Sequence, residues 1–219
     1  MQRTVKIPLL GLAAVSLMGV NAWGVETPSA ATTETLSAEA KEGTTLAAKI
    51  FESSDPKEAR EKLSDAERKK FDAATMPGPI EEVEKKEVAV EDDQGDEATR
   101  AGGSRCYGYN QTFKRKALAG NTLYTYWQST HVCHRGGRVT SVKVTNAGGE
   151  TSTPGWRVDK GPKVSTKNVG WEGRGNARYH FVLGVGGWDI AHPTDCIQQR
   201  LNANGHSHRS MNSCNLDAR

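Results

Sequence analysis

His131, Cys133 and His134 fall within four positions of one another, and His206 and His208 sit close to Cys214. Metal ligation is therefore the first chemistry to weigh. A zinc site needs three or four converging thiolate, imidazole or carboxylate ligands. Strand alternation sends His131 and Cys133 to one face and His134 to the other, and a thiol in an exported protein is claimed by a disulfide. The ligand count falls short, so neither a metal nor any other cofactor is expected.

Hydrolysis would require a nucleophile with a base, or two carboxylates facing across a cleft. Residues 101–219 hold only Glu150, Asp159, Glu172, Asp189, Asp195 and Asp217 as acids. Glu172 is the one worth testing as a catalyst. Arg174, its same-face neighbour two residues along a strand, makes a salt bridge the plainer role. His180 and His192 accompany no recognisable nucleophile motif. Gly184, Gly186 and Gly187 lack the lysine and the strand-to-helix context of a phosphate loop. No catalytic residue is assigned, and the chain reads as non-enzymatic.

Four tryptophans, Trp127, Trp156, Trp171 and Trp188, could stack on sugars or anchor a partner, or could fill the core. Trp127 lies inside a long alternating segment and is expected in the core. Trp188, beside Gly186, Gly187 and Asp189 in a turn-like string, is the best candidate for an exposed contact.

The elements that would carry these residues are divided by charge. Residues 25–100 hold 20 acidic and 11 basic residues, whereas residues 101–219 hold 16 basic and 6 acidic ones, so a total of +3 conceals two oppositely charged pieces. The first 24 residues read as an export signal. Arg3 and Lys6 precede an apolar stretch from Ile7 to Val20, which is short for a span of roughly 20 residues, and Ala22 and Gly24 suit the cleavage site. The mature protein is expected outside the cell, with no membrane insertion.

Between residues 25 and 104 an acidic arm is expected. Its large apolar residues are few, chiefly Leu36, Leu46, Ile50, Phe51, Leu63 and Phe71, which is little against an ordering cost of roughly 1–2 kcal/mol per residue. Short helices are signalled by Asp55 before Pro56 and by Ser64 with Glu67, a capping box ahead of a run ending near Met76. Pro77, Gly78 and Pro79 stop that run. Glu81 to Glu97 should be extended or disordered, and Ala101, Gly102 and Gly103 form a linker. Phe51, Leu63 and Phe71 are the arm's candidate anchors for a partner.

Residues 105–219 form the second piece, a basic β domain. Thr122 to His134 alternates, with Tyr124, Tyr126, Gln128, Thr130 and Val132 on one face. Arg135, Gly136 and Gly137 make a turn, and Arg138 to Asn146 returns. Trp156 to Val158, Arg178 to Leu183 and Cys196 to Leu201 are further strands. The expected fold is mainly β: a small antiparallel sandwich or barrel with disulfides, preceded by a partly helical, largely disordered arm. Cys106, Cys133, Cys196 and Cys214 allow three pairings, and the shorter loops favour Cys106 with Cys133 and Cys196 with Cys214.

Several strings in this half occur together: Gly120, Asn121 and Thr122; Cys133 followed by Val139, Thr140 and Ser141; Asn146 with Gly148 and Gly149; Asn168 to Glu172 with Arg174; Tyr179 with Phe181; and Cys196, Ile197 and Gln198 with Arg200. Over residues 105–205 the chain resembles a family of small secreted actinobacterial proteins with an uncharacterised β-rich C-terminal domain. A long charged arm before a disulfide-bearing β domain also resembles the adaptor subunit of umbrella toxin particles. That resemblance implies secreted protein partners, a lectin-bearing subunit and a large toxin subunit, bridged by the arm and the β domain. It carries over no functional residue.

Lys114, Arg115, Lys116, Lys160, Lys163 and Lys167 do not argue for nucleic acid. The polyanions an exported protein meets are cell-wall polymers, acidic lipid surfaces and acidic proteins. A secreted binding or adaptor protein is the expected function. A carbohydrate or cell-wall binding module, or a hydrolase or toxin held inactive by an acidic propeptide, are the alternatives.

Overall fold

The helix signals of the acidic half are realised as three helices. The structure, a computed structural model, describes residues 36–88, 103–205 and 208–218. The leader, Ala101 and Gly102 of the linker, the charged run beyond Val88 and His206 lie outside the described residues.

Helix α1 (Ala38–Phe51) starts at Ser37, whose hydroxyl accepts from the Ala40 amide. Its buried face is Ala40, Gly43, Ala47 and Ile50, a helical spacing of three and four residues. Helix α2 (Pro56–Glu61) is capped by Asp55, and α3 (Asp65–Thr75) by the reciprocal Ser64 and Glu67 pair. Helices α1 and α3 pack against each other so closely that a Cβ at Gly43 would lie 2.5 Å from the Lys70 carbonyl oxygen. Met76 takes up extended backbone, and the chain passes directly into a strand.

That strand, β1 (Pro77–Val88), pairs antiparallel with β2 (Arg105–Ala117). The acidic run that read as extended or disordered is, over residues 81–88, part of a sheet. Its residues are nearly all charged and exposed, so no apolar period announces it; the β2 ladder holds it instead. The sheet therefore begins at Pro77, well before residue 105.

Strand β3 (Thr122–Arg135) and β4 (Arg138–Thr151) follow, joined by the glycine turn, and complete a sheet ordered β1-β2-β3-β4. At Gly136 and Gly137 both φ angles are positive, 57° and 71°, as a two-residue hairpin turn requires. The second sheet is ordered β5-β6-β8-β9, from β5 (Trp156–Asn168), β6 (Glu172–Val185), β8 (Thr194–Asn202) and β9 (His208–Met211). The short β7 (Trp188–Ala191) pairs with the end of β6. The fold is mainly β, two antiparallel sheets face to face, with β4 beside β5 along one side and β1 close to β9 along the other.

The inward set of β3 meets β6 in an aromatic core. Tyr124 stacks on Phe181 with ring centroids 3.8 Å apart, and Tyr126 lies 5.1 Å from Tyr179. The buried Asp195 accepts from the Tyr124 hydroxyl at 2.7 Å and is ion-paired with Arg115. Arg115 also donates to the Gly78 carbonyl at 2.9 Å, so this cluster ties β1, β2, β3 and β8 together.

The helices close one end of the sandwich through specific hydrogen bonds. The last turn of a helix leaves carbonyls without partners. Here those of Ala73, Ala74 and Thr75 accept from the Ala119 amide (2.7 Å), Asn121 Nδ2 (2.9 Å) and Trp156 Nε1 (3.1 Å). All described residues belong to one compact unit that begins at Leu36.

The two disulfides are Cys106 with Cys133 and Cys196 with Cys214, the shorter-loop pairing. The first joins register partners on β2 and β3; the second fastens the C-terminal segment to β8. Two such bonds fit an oxidising setting. No helix among the described residues is long and apolar enough to cross a membrane.

His208 stacks on Tyr109 at 4.2 Å, and its ring nitrogens have no hydrogen-bond partner among the described residues. Burial, with the Lys85 charge beside it, pushes its pKa down to about 4. The unfolded chain binds this proton near pH 6.5 and the folded one near 4, so the stabilisation is complete above about 6.5 and drains as pH falls between those values. Allowing for the ring's partial exposure, about 2 kcal/mol of stability is expected to disappear between pH 7 and pH 4. His208→Phe should flatten that part of the profile in urea titrations at the two pH values; an unchanged slope would assign it to other groups.

Candidate binding surfaces

The residues singled out from sequence divide into those the fold consumes and those it presents. Cys133 is in its disulfide, and His131 sits 3.4 Å from Thr145 Oγ1. Burial alone lowers the His131 pKa. Among the described residues no group of three or more His, Cys, Asp or Glu side chains could hold a metal ion.

Glu172 is buried on the outer side of β6, where Oε1 accepts from Arg174 Nε at 2.6 Å and from Arg200 at 2.7 Å. The expected partner is Arg174; Arg200, directly across on β8, makes it a triad. Both arginines continue outward into the C-terminal segment, Arg174 donating to the Leu216 carbonyl (2.7 Å) and Arg200 to that of Ala218 (3.1 Å). Asn176 donates to the Ser213 carbonyl at 2.7 Å. Glu172 thus neutralises the two cations that hold the chain's end against the sheet. That is a structural post.

The arm's expected anchors meet this chain's own β body. Phe71 is fully buried between helices, and Leu63 lies against the same small core. Phe51 is 5.7 Å from Phe71 and 6.2 Å from Trp188, ring centroid to ring centroid, and lies over Gly155. Trp188, expected as the exposed contact, is half-buried under Phe51. These four residues form the joint between the helices and the sheet. The few apolar residues of the acidic half gather into a small cluster around Ala47, Ile50 and Phe71, which Ile190 and Trp188 join to the β body. Beside them Gly155 to Arg157 and Gly184 to Gly187 line an open cleft of about 440 Å³, bridged by the Arg157 and Asp189 ion pair.

The tryptophans rearrange accordingly. Trp156 is core. Trp127, expected there, is half-buried on the outer face of its sheet, where its ring covers Gly148. Trp171, at the turn between β5 and β6, is 59% exposed.

The turn holding Trp171 is rigid. Gly170 accepts from the Val139 amide (2.7 Å), Trp171 accepts from the Ala203 amide (2.8 Å), and the Asn168 side chain bonds both the Gly170 amide and the Val139 carbonyl. Gly170 has φ of 87°, a backbone state that favours glycine. Arg135 and Arg138, both exposed, flank the neighbouring hairpin tip. This end of the sandwich presents an exposed indole on a hydrogen-bonded backbone turn, with Arg135 and Arg138 at the neighbouring tip.

A second surface lies on the outer face of β5 and β6. Lys163 stands opposite Arg178 and Lys160 opposite His180 in the strand register, and Lys167 stands opposite Arg174. At its far end two carboxylates reach this row: Asp217, 2.6 Å from Lys167 and 3.5 Å from Arg174, and Glu172, 2.6 Å from Arg174. Along the other side of the sandwich, β1 presents Glu81, Glu82, Glu84 and Glu87 with Lys85 and Lys86, and has β2 as its strand neighbour. The charge division of the sequence is thus carried into the fold as two oppositely charged flanks. No protein-family model matches the chain, and no curated protein or solved structure matches it.

Proposed function

We propose that this chain is an exported, non-enzymatic binding protein that works as an adaptor through surfaces of its disulfide-fastened sandwich. The exposure of Trp171 in a turn pinned by hydrogen bonds carries this reading. A large aromatic ring left in water at a fixed position costs little entropy to dock, and tryptophan is enriched where a few residues dominate binding. The separation of the Trp171 end from the acidic β1 edge provides two surfaces, as a bridge needs. The likeness to umbrella toxin adaptors suggests the setting, an extracellular antibacterial complex whose lectin and toxin subunits would be the two partners.

Trp171→Ala is expected to leave the melting temperature unchanged and to weaken capture of one partner by about 2 kcal/mol, roughly thirtyfold. Affinity purification of the full chain from culture fluid, wild type beside variant, reads the effect. Equal recovery of every partner by the two forms would refute the role of this turn. Retention of the chain inside the cell would refute export.

A further inference from the structure

Like charges placed directly opposite on neighbouring strands destabilise a sheet. On β5 and β6, Lys163 nevertheless faces Arg178, and both are exposed with no ion-pair partner among the described residues. From Lys160 to Lys167 this face runs roughly 20 Å along the strand and is two strands wide. The residues from 160 to 171 include no acid; Asp159 precedes them. At the far end the chain's own Asp217 carboxylate sits between Lys167 and Arg174, which shows that an anion fits there. The strip then runs into the turn carrying the exposed Trp171.

We propose that the outer face of β5 and β6 binds a linear phosphodiester-bearing glycan of the kind found in cell walls. The inference rests on the reading of the chain as an exported binding protein, since that is where such a polymer is met. Lysine ammonium groups bind phosphate as point charges without demanding one orientation. A narrow straight row suits a single extended polymer, and an indole ring next to it offers a sugar a flat apolar face. The uncompensated charge that weakens the sheet is what the polymer would neutralise.

The test uses the full chain and four probes: purified glycosyl-substituted poly(glycerol phosphate) wall polymer, inorganic polyphosphate, poly-glutamate of similar charge, and vesicles of anionic phospholipid. Titration by calorimetry is expected to show the wall polymer bound, with affinity falling as salt rises. The double variant K163E/R178E should lose at least about tenfold in affinity and lower the salt slope by about one to two. Its melting temperature should stay close to that of the wild type, because one exposed like-charge pair is exchanged for another of opposite sign. Trp171→Ala should weaken the glycan polymer and leave inorganic polyphosphate binding unchanged.

Absence of wild-type binding, or undiminished binding by K163E/R178E, would overturn the proposal. So would equal or stronger binding of poly-glutamate or of the vesicles, which would assign the strip to an acidic protein or to a membrane surface. An exported chain with no affinity for the polymer sinks this inference alone; a chain that stays inside the cell sinks the adaptor reading whatever the titration shows.

Discussion

A chain lacking residues 36–88 is expected to lose cooperative folding. The deletion strips β1 from β2, removes the Gly78 carbonyl that Arg115 bonds, and uncovers Trp156 and the end of the aromatic core. It also deprives the Ala119 amide and the Asn121 and Trp156 side chains of their acceptors. These donors then turn to water at a net cost of about 0.5–1.5 kcal/mol per bond, and with the lost β1 ladder and the apolar exposure the sum exceeds about 5 kcal/mol, the lower range of a domain's whole stability. Near-ultraviolet circular dichroism and a thermal melt of residues 103–219 would read the result. A sharp melt close to that of the intact chain would show that the helices and β1 are accessory.

Asp195→Ala is expected to cost about 3–5 kcal/mol, the range for breaking a buried ion pair from one side. Asp195 is 2% exposed and is the acceptor for both Arg115 and the Tyr124 hydroxyl. Its removal strands a guanidinium and a phenol in the core. Asp195→Asn retains an acceptor for Tyr124 and should lose less. Urea unfolding of the two variants beside the wild type gives the comparison; a loss below about 1 kcal/mol for the alanine variant would place the cluster in water.

Local chemistry explains which parts of this fold could be read ahead of the structure. The Asp55 and Pro56 start, the Ser64 and Glu67 box, the Gly136 and Gly137 turn and the alternation of β3 are each set by residues within a few positions. Helix α1 buries a face made largely of small residues, Ala40, Gly43 and Ala47, which leaves almost no apolar period. Strand β2 was hidden because Gln111 occupies an inward position between Tyr109 and Phe113. On β3, Gln128 is likewise buried, donating to Thr130 Oγ1 at 2.7 Å, while Gln199 of β8 donates to the Tyr109 carbonyl at 3.2 Å. A polar belt inside a sandwich breaks the hydrophobic rule that locates strands.

The surfaces were less legible than the elements. Trp171 and Trp188 both sit beside turn residues, and what separates them is Phe51, more than a hundred residues earlier, covering only one. Glu172 and Arg174 could be paired from strand alternation, but Arg200 enters from β8. The cationic row on β5 and β6 was visible as separate lysines and became a row only through the register of Lys163 with Arg178.

The carbonyls at the end of α3 find their donors at Ala119, Asn121 and Trp156. Synthesis delivers those donors some 45 to 80 positions after the helix itself. The portion of the chain made early is therefore completed late, once the hairpins downstream have assembled to receive it. Pairings that span so many intervening residues make the closing step of folding the slow one.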